Sequence, residues 1–148
     1  MRQVNAQSST VRPKRFELIE HTADTGLRAY GTNLPEAFAN AAYGLFSIIT
    51  DLRTVRQRET RDVVVQAHDI EELLFDWMNQ LIYLFDVDHI LLKRFDMIEF
   101  GPTALRASCR GEDYDPSRHQ LRTEVKSATY HMLQVNGQNN TVRVIFDI

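Results

Sequence analysis

Two stretches of this chain keep a helical period, while the rest of its patterned sequence alternates in twos. The clearer stretch is DIEELLFDWMNQLIYLFDVD, residues 69–88. Asp69 and Glu72 have the spacing of a capping box. Leu73, Leu74, Trp77, Met78, Leu81, Leu84 and Phe85 then form a broad apolar stripe, with Asp76, Asp86 and Asp88 off or beyond it. Trp77 reads as core. The other stretch is NLPEAFANAAYGLFSIITD, residues 33–51. Here Asn33 caps, Pro35 is tolerated in the first turn and Glu36 holds the capping-box position. Phe38, Ala41, Ala42, Leu45, Phe46 and Ile49 predict one apolar face.

Everything else points to strands. An apolar run at Phe16, Leu18 and Ile19 is followed by the alternating stretch after His21. RDVVVQA, HILLKRFDMIEF, ALRASCRG, EVKSATYHMLQV and TVRVIFDI come later. Gly101-Pro102 and NGQNN (residues 136–140) supply turns. LRTVRQRETR, residues 52–61, reads as an exposed basic loop with a solvated face. The order is strand, strand, helix, strand, helix, then several strands. It predicts an α+β domain, its two helices packed on one mostly antiparallel sheet or on two. The two helical segments share a loose pattern, a faint sign of duplication. At 148 residues the chain fits one domain, or two small halves sharing a core. Residues 1 to about 14 read as a flexible basic tail, leaving 15–148 as the folded unit.

Charge and cysteine usage narrow the function classes. Against 17 basic residues stand 20 acidic ones, so bulk phosphate-backbone binding is not indicated and any nucleic-acid contact is local or made through a partner. Cys109 is alone, which excludes an internal disulfide and suggests a reducing compartment. No apolar run is long enough to span a bilayer, and the N-terminal stretch lacks the apolar segment of a secretory signal. Cytoplasm is the expected location, or the nucleus in a eukaryotic host.

Three polar clusters are candidates for chemistry. In HTADTGLRAYG, residues 21–31, His21, Thr22 and Asp24 crowd into four positions. They are either a turn with spare polar groups or one half of a site. In the terminal VRVIFDI, alternation puts Val142, Val144, Phe146 and Ile148 on one face and Arg143, Ile145 and Asp147 on the other. An aspartate beside the terminal carboxylate on a strand that reads as buried calls for a lysine, an arginine or a divalent ion, unless the end is frayed and hydrated. In GEDYDPSRHQLRTEVKSATYHM, Asp113 and Asp115 read as a turn. Lys126 shares a face with Ala128, Tyr130 and Met132, opposite His131. There is no glycine-rich phosphate loop, zinc-like Cys/His spacing or nucleophile elbow. Cys109 has arginines nearby but reads as packing.

Together these blocks resemble the archease family. HTADTGLRAYG is similar to its opening motif, LLFDWMNQLIYLFD to its central helix, and GEDYDPSRHQLRTEVKSATYHMLQV and VIFDI to its last two blocks. The match runs from about Phe16 to Ile148 in the family's order. The resemblance implies a fold related to strand-helix-strand-strand modules. It also implies a non-enzymatic role, activation of an RtcB-type RNA ligase that joins tRNA halves. In that role archeases promote guanylylation of the ligase and its multiple turnover, with tRNA and GTP contacted through the ligase and no membrane involved. It further implies a metal site in which Asp24 and Asp147 give carboxylates and Ile148 a backbone oxygen, with Lys126 a functional side chain facing the ligase or nucleotide. His21 would support a ligand from behind. Calcium suits an all-oxygen set, with magnesium and manganese as alternatives. Ser127 replaces an alanine common in the family, and Thr25 a frequent valine. A rival reading from the same residues is a metal-dependent phosphoesterase acting alone.

Overall fold

The computed structural model describes residues 14–20 and 24–148. Of the sequence-based expectations, the basic tail up to residue 13 and the placement of His21 and Thr22 lie outside the described residues. The elements are β1 (Phe16–Glu20), β2 (Asp24–Tyr30), α1 (Leu34–Ile49), β3 (Glu59–Gln66), α2 (Ile70–Asp88), β4 (Ile90–Phe100), β5 (Ala104–Asp113), β6 (Ser127–Asn136) and β7 (Thr141–Asp147). Their order matches the sequence reading, and the architecture is α+β. The strands form two sheets, ordered β1-β2-β7-β6 and β3-β5-β4, and the pairings are antiparallel.

Both helix starts follow from their caps. The Asn33 side-chain oxygen accepts from the Glu36 N–H at 2.9 Å, and Glu36 accepts from the Thr32 N–H at 2.6 Å. Asp69 accepts from the Glu72 N–H at 2.8 Å, and Glu72 from the His68 N–H at 2.7 Å. Each cap satisfies N–H groups that the first helical turn leaves open. At its other end α2 stops on His89, which takes a left-handed conformation, φ 55°.

The apolar face of α1 is broader than its periodicity predicts. Ala37, Gly44 and Ile48 are buried beside the expected Phe38, Ala41, Ala42, Leu45, Phe46 and Ile49. The reason is its position. It packs on β1, β2 and β7 of the larger sheet and on β4 of the smaller, while α2 packs on β6 of the larger and chiefly β3 of the smaller. A helix touching two sheets needs apolar surface on both sides. Trp77 is core, as expected: its indole N–H donates to the Phe38 carbonyl at 3.0 Å, and its ring meets Phe95 edge-on. Buried residues from both sheets and both helices join in one apolar cluster. Among the described residues no helix is long and apolar enough to cross a membrane.

Three expectations need correction. The 52–61 stretch is only partly an exposed loop: Leu52–Thr54 forms a 3-10 turn, Leu52 and Val55 are buried, and β3 already begins at Glu59. The apolar side chains anchor the segment, and Arg53 folds onto Asp51 at 2.7 Å. The stretch 124–135 is not one regular strand. Lys126 precedes β6, and the β6–β7 register breaks between Thr129 and Gln134. Their partners Ile145 and Arg143 are two residues apart while they are five apart, so three extra residues bulge outward. Hence Ala128 is buried but Tyr130 and Met132 are exposed, and no common face joins them to Lys126. The chain end is the third. Val142, Val144 and Phe146 point into the core, but Ile148 does not follow them and is 43% exposed. Ile145, on the other face, is buried, and Asp147 is exposed.

Candidate functional site

The antiparallel register between β2 and β7 places Asp24 directly opposite Asp147. On the other side of β7, Ser127 is opposite Asp147 as well, with its hydroxyl 3.4 Å from Asp147 Oδ2. Residues opposite one another in a ladder share a face, so Asp24, Asp147 and Ser127 form a row across three strands at one end of the larger sheet. The Lys126 N–H donates to the Asp147 carbonyl at 2.8 Å, fixing the lysine's backbone beside the row while its side chain stays in solvent.

Like charges directly opposite in a sheet repel, and here the repulsion is sharpened by burial. Asp24 Oδ1 is shielded from solvent and has no hydrogen-bond partner among the described residues. A buried carboxylate oxygen without a donor or cation is costly. Of the two acids, Asp24 is the half-buried one and Asp147 the exposed one.

Chemically the row is a set of hard oxygen donors: two carboxylates, the Ser127 hydroxyl and, one residue past Asp147, the Ile148 backbone oxygen. No group of three or more His, Cys, Asp or Glu side chains placed to hold a metal exists among the described residues, so a zinc-type cage is not formed by them. Two facing carboxylates, one with a shielded oxygen that has no partner among the described residues, fit a hydrated hard cation such as Ca²⁺. Of the sequence candidates, Asp24, Asp147, Ile148 and the Lys126 backbone come together. His21 lies outside the described residues. Cys109 is packing, as expected: it is fully buried, and burial, helped by Asp62 and Asp96, pushes its thiol up to about 12.

The sequence reading missed what anchors the segment that leads toward Lys126. Between β5 and β6 the chain is pinned by buried Glu112 and His119. Glu112 Oε2 accepts from the Arg56 N–H at 2.8 Å and from His119 Nε2 at 2.9 Å, and Arg118 pairs with Oε1. The Asp115 N–H donates to His119 Nδ1 at 2.9 Å, so the ring proton is on Nε2, facing Glu112. Farther along, the Thr50 hydroxyl donates to the Gln120 carbonyl at 2.8 Å and the Arg122 N–H to the Ile49 carbonyl at 2.7 Å. These ties join the end of α1 to the segment between β5 and β6, as far as Arg122. Nothing in GEDYDPSRH distinguishes Glu112 from its acidic neighbours.

Comparison with known proteins gives consistent matches. The model of the Archease protein family matches residues 16–148. Over 128 residues the chain is 40% identical to protein archease of Sulfurisphaera tokodaii, covering 86% of this chain and 92% of that protein. Over 126 residues it is 40% identical to protein archease of Methanosarcina acetivorans, covering 82% and 86%. In three dimensions it is similar to the solution structure of Methanobacterium thermoautotrophicum protein 1598, with a TM-score of 0.74 at 34% identity over 90% of this chain and 99% of that one. It also shares its fold with a Thermotoga maritima crystal structure described as an archease, possible chaperone, with a TM-score of 0.52 at 19% identity over 93% and 98% of the two chains.

Proposed function

The chain belongs to the archease family, and from that premise we propose that it is an accessory protein of an RtcB-type tRNA-splicing ligase, promoting the ligase's guanylylation and its multiple turnover. Family membership is consistent with a regulatory, non-catalytic role. The observation that carries the finer reading is the Asp24–Asp147 pair, in which a shielded Asp24 oxygen has no hydrogen-bond partner among the described residues.

In this reading Asp24 and Asp147 hold a divalent ion, Ca²⁺ by preference, with Ile148 adding an oxygen. Such an ion supplies positive charge against phosphoryl oxygens when bound. The chain's own residues do the remainder. β2 and β7 fix the two carboxylates in register, and the Lys126 ammonium, on a backbone tied to Asp147, reaches toward the ligase or its nucleotide. His21 steadies a ligand in the same reading.

The test uses an RtcB-type ligase at limiting concentration with GTP, a divalent metal and tRNA halves, following labelled guanylate on the ligase and joined RNA over many turnovers. Asp24→Asn and Asp147→Asn are each expected to weaken calcium binding, read by calorimetry, by more than about tenfold, and to lose stimulation. Lys126→Ala is expected to bind calcium normally and stimulate poorly. Full stimulation by both aspartate variants would overturn the metal-site reading. RNA cleavage or phosphate release by this protein alone, abolished by chelator, would replace the accessory role with a phosphoesterase.

A further inference from the structure

On another part of the molecule, α1 and β4 border a cleft of about 440 Å³ whose lining includes Arg15, Tyr43, Gln57, Lys93 and Arg94. A second hollow of about 520 Å³, lined in part by Lys14, Tyr30 and Thr32, shares Arg15, Glu36 and Asn40 with it, so the two form one trough. The cations come from separate elements: Lys14 and Arg15 from the entry to β1, Lys93 and Arg94 from β4. On β4 the register to β5 steps from Leu92–Gly111 to Arg94–Arg110, which makes Lys93 the extra residue of a bulge. Bulges re-aim side chains, and this one brings two consecutive cations to one cleft.

The carboxylates of the trough are engaged. Glu36 accepts from the Thr32 N–H at 2.6 Å, and Asp96 accepts from Arg94 Nε at 3.0 Å. Arg15 and Lys93 make no ion pair among the described residues. Arg15 instead lies over the Tyr43 ring, its guanidinium carbon 4.3 Å from the ring centre. That contact orients the planar group while leaving its N–H edge for a ligand. Arg94 stands directly opposite Arg110, a like-charge pair that Asp96 relieves only at the Nε edge of Arg94. The cations adjoin apolar surface from Ala39, Tyr43 and Phe95. An anion that also presents a flat apolar group suits these walls better than a carboxylate side chain does.

We propose that the Arg15–Lys93–Arg94 trough binds the phosphate of a nucleotide, free or within a single-stranded RNA, directly and apart from the Asp24–Asp147 row. The chain's net charge of −3 does not oppose this, because the cations are concentrated locally and the contact needs only a few of them. Binding is read with this protein alone, so the result is independent of any effect on a ligase.

The experiment is fluorescence anisotropy with a short labelled single-stranded RNA and, separately, a fluorescent GTP analogue, each over a range of salt. Lys93→Glu and Arg15→Gln are expected to weaken binding by about tenfold or more and to flatten its salt dependence. Arg53→Gln, which removes an exposed cation elsewhere, is expected to change it by less than about twofold. Circular dichroism and thermal melting establish that each variant is folded; an unfolded Arg15→Gln leaves the surface substitution Lys93→Glu to decide. Binding of RNA alone makes the source a nucleic-acid strand, binding of GTP alone a free nucleotide, and either supports the site. No binding of either probe, an equal loss in Arg53→Gln, or displacement of RNA by polyglutamate as readily as by unlabelled RNA overturns it, the last in favour of an acidic protein.

Discussion

Gly26 lies two residues along β2 from Asp24 and faces Ile145 on β7, as Asp24 faces Asp147. A Cβ there would come within 2.5 Å of Ile145 Cδ1 and 2.7 Å of the Val144 carbonyl oxygen. The first contact could be relieved by a side-chain shift, but the second is with backbone. Glycine at this position therefore lets β2 and β7 approach closely enough for the two aspartates to stay in register. Gly26→Ala is expected to destabilise the fold by about 1–3 kcal/mol, an overpacking cost, and, under the proposed metal-site reading, to weaken calcium binding as the strands part. Urea denaturation and calorimetry would check both. A variant with native stability would mean that the ladder flexes here more easily than its contacts imply. At this scale the candidate site was half legible. Asp24 stood out because a turn rarely needs so many polar groups, and Asp147 because it closes an apolar strand. Their pairing was implied by family resemblance alone, since the register joining distant strands leaves no local mark. Which of the two acids is the less exposed depends on what packs around them, and the apolar character of the last strand drew attention to Asp147, whereas Asp24 is the half-buried one.

The β6 bulge is the element whose local pattern misleads most. EVKSATYHMLQV alternates cleanly as text, yet Met132 has φ 57°, a left-handed conformation that side chains resist. Its carbonyl accepts from Arg143 Nε at 2.8 Å, and Tyr130, although 58% exposed, stacks on Phe75 with ring centres 4.0 Å apart. These contacts replace the strand pairing lost between Thr129 and Gln134. Met132→Gly is expected to leave stability unchanged or to raise it by up to about 1 kcal/mol, and Met132→Val to lower it by about 1–2 kcal/mol, because a β-branched side chain fits φ > 0 poorly. Thermal unfolding of the two variants side by side would decide, and equal effects would deny the strain. The helices were legible for the opposite reason. Their signals, Asn33 with Glu36 and Asp69 with Glu72 followed by apolar residues three and four apart, all lie within a few turns of one another. The division of the described strands into two sheets has no such local source, because it rests on pairings between distant segments such as β2 with β7.

Across the whole molecule, Glu112 links parts that are far apart in sequence: the loop before β3 through Arg56, the end of β5, and the segment leading to Lys126 through Arg118 and His119. Burial pushes its carboxyl upward, but Arg118, the Arg56 N–H and His119 together outweigh burial and hold it at about 2, below the ordinary 4.5. A carboxyl held below its unfolded value contributes stability above pH 4.5, and that contribution is lost as pH falls from about 4.5 towards 2. Glu112→Gln keeps the shape and removes the charge. At neutral pH it is expected to cost about 2–3 kcal/mol, the worth of hydrogen bonds to a buried charged group. The gap between native and variant should then close as the pH passes down through that window, when the native carboxyl also becomes neutral. Urea midpoints measured for both proteins from pH 7 downward would trace this. A gap that stayed constant through the window would mean that packing around Glu112, rather than its charge, holds the segment. The same variant carries a functional consequence for the proposed role. Asp24 and Asp147 sit on strands that Glu112 does not touch, so calcium binding should survive, whereas the reach of Lys126 should suffer with the loop that delivers it. Loss of stimulation with calcium affinity intact would separate the two contributions at the end of the larger sheet.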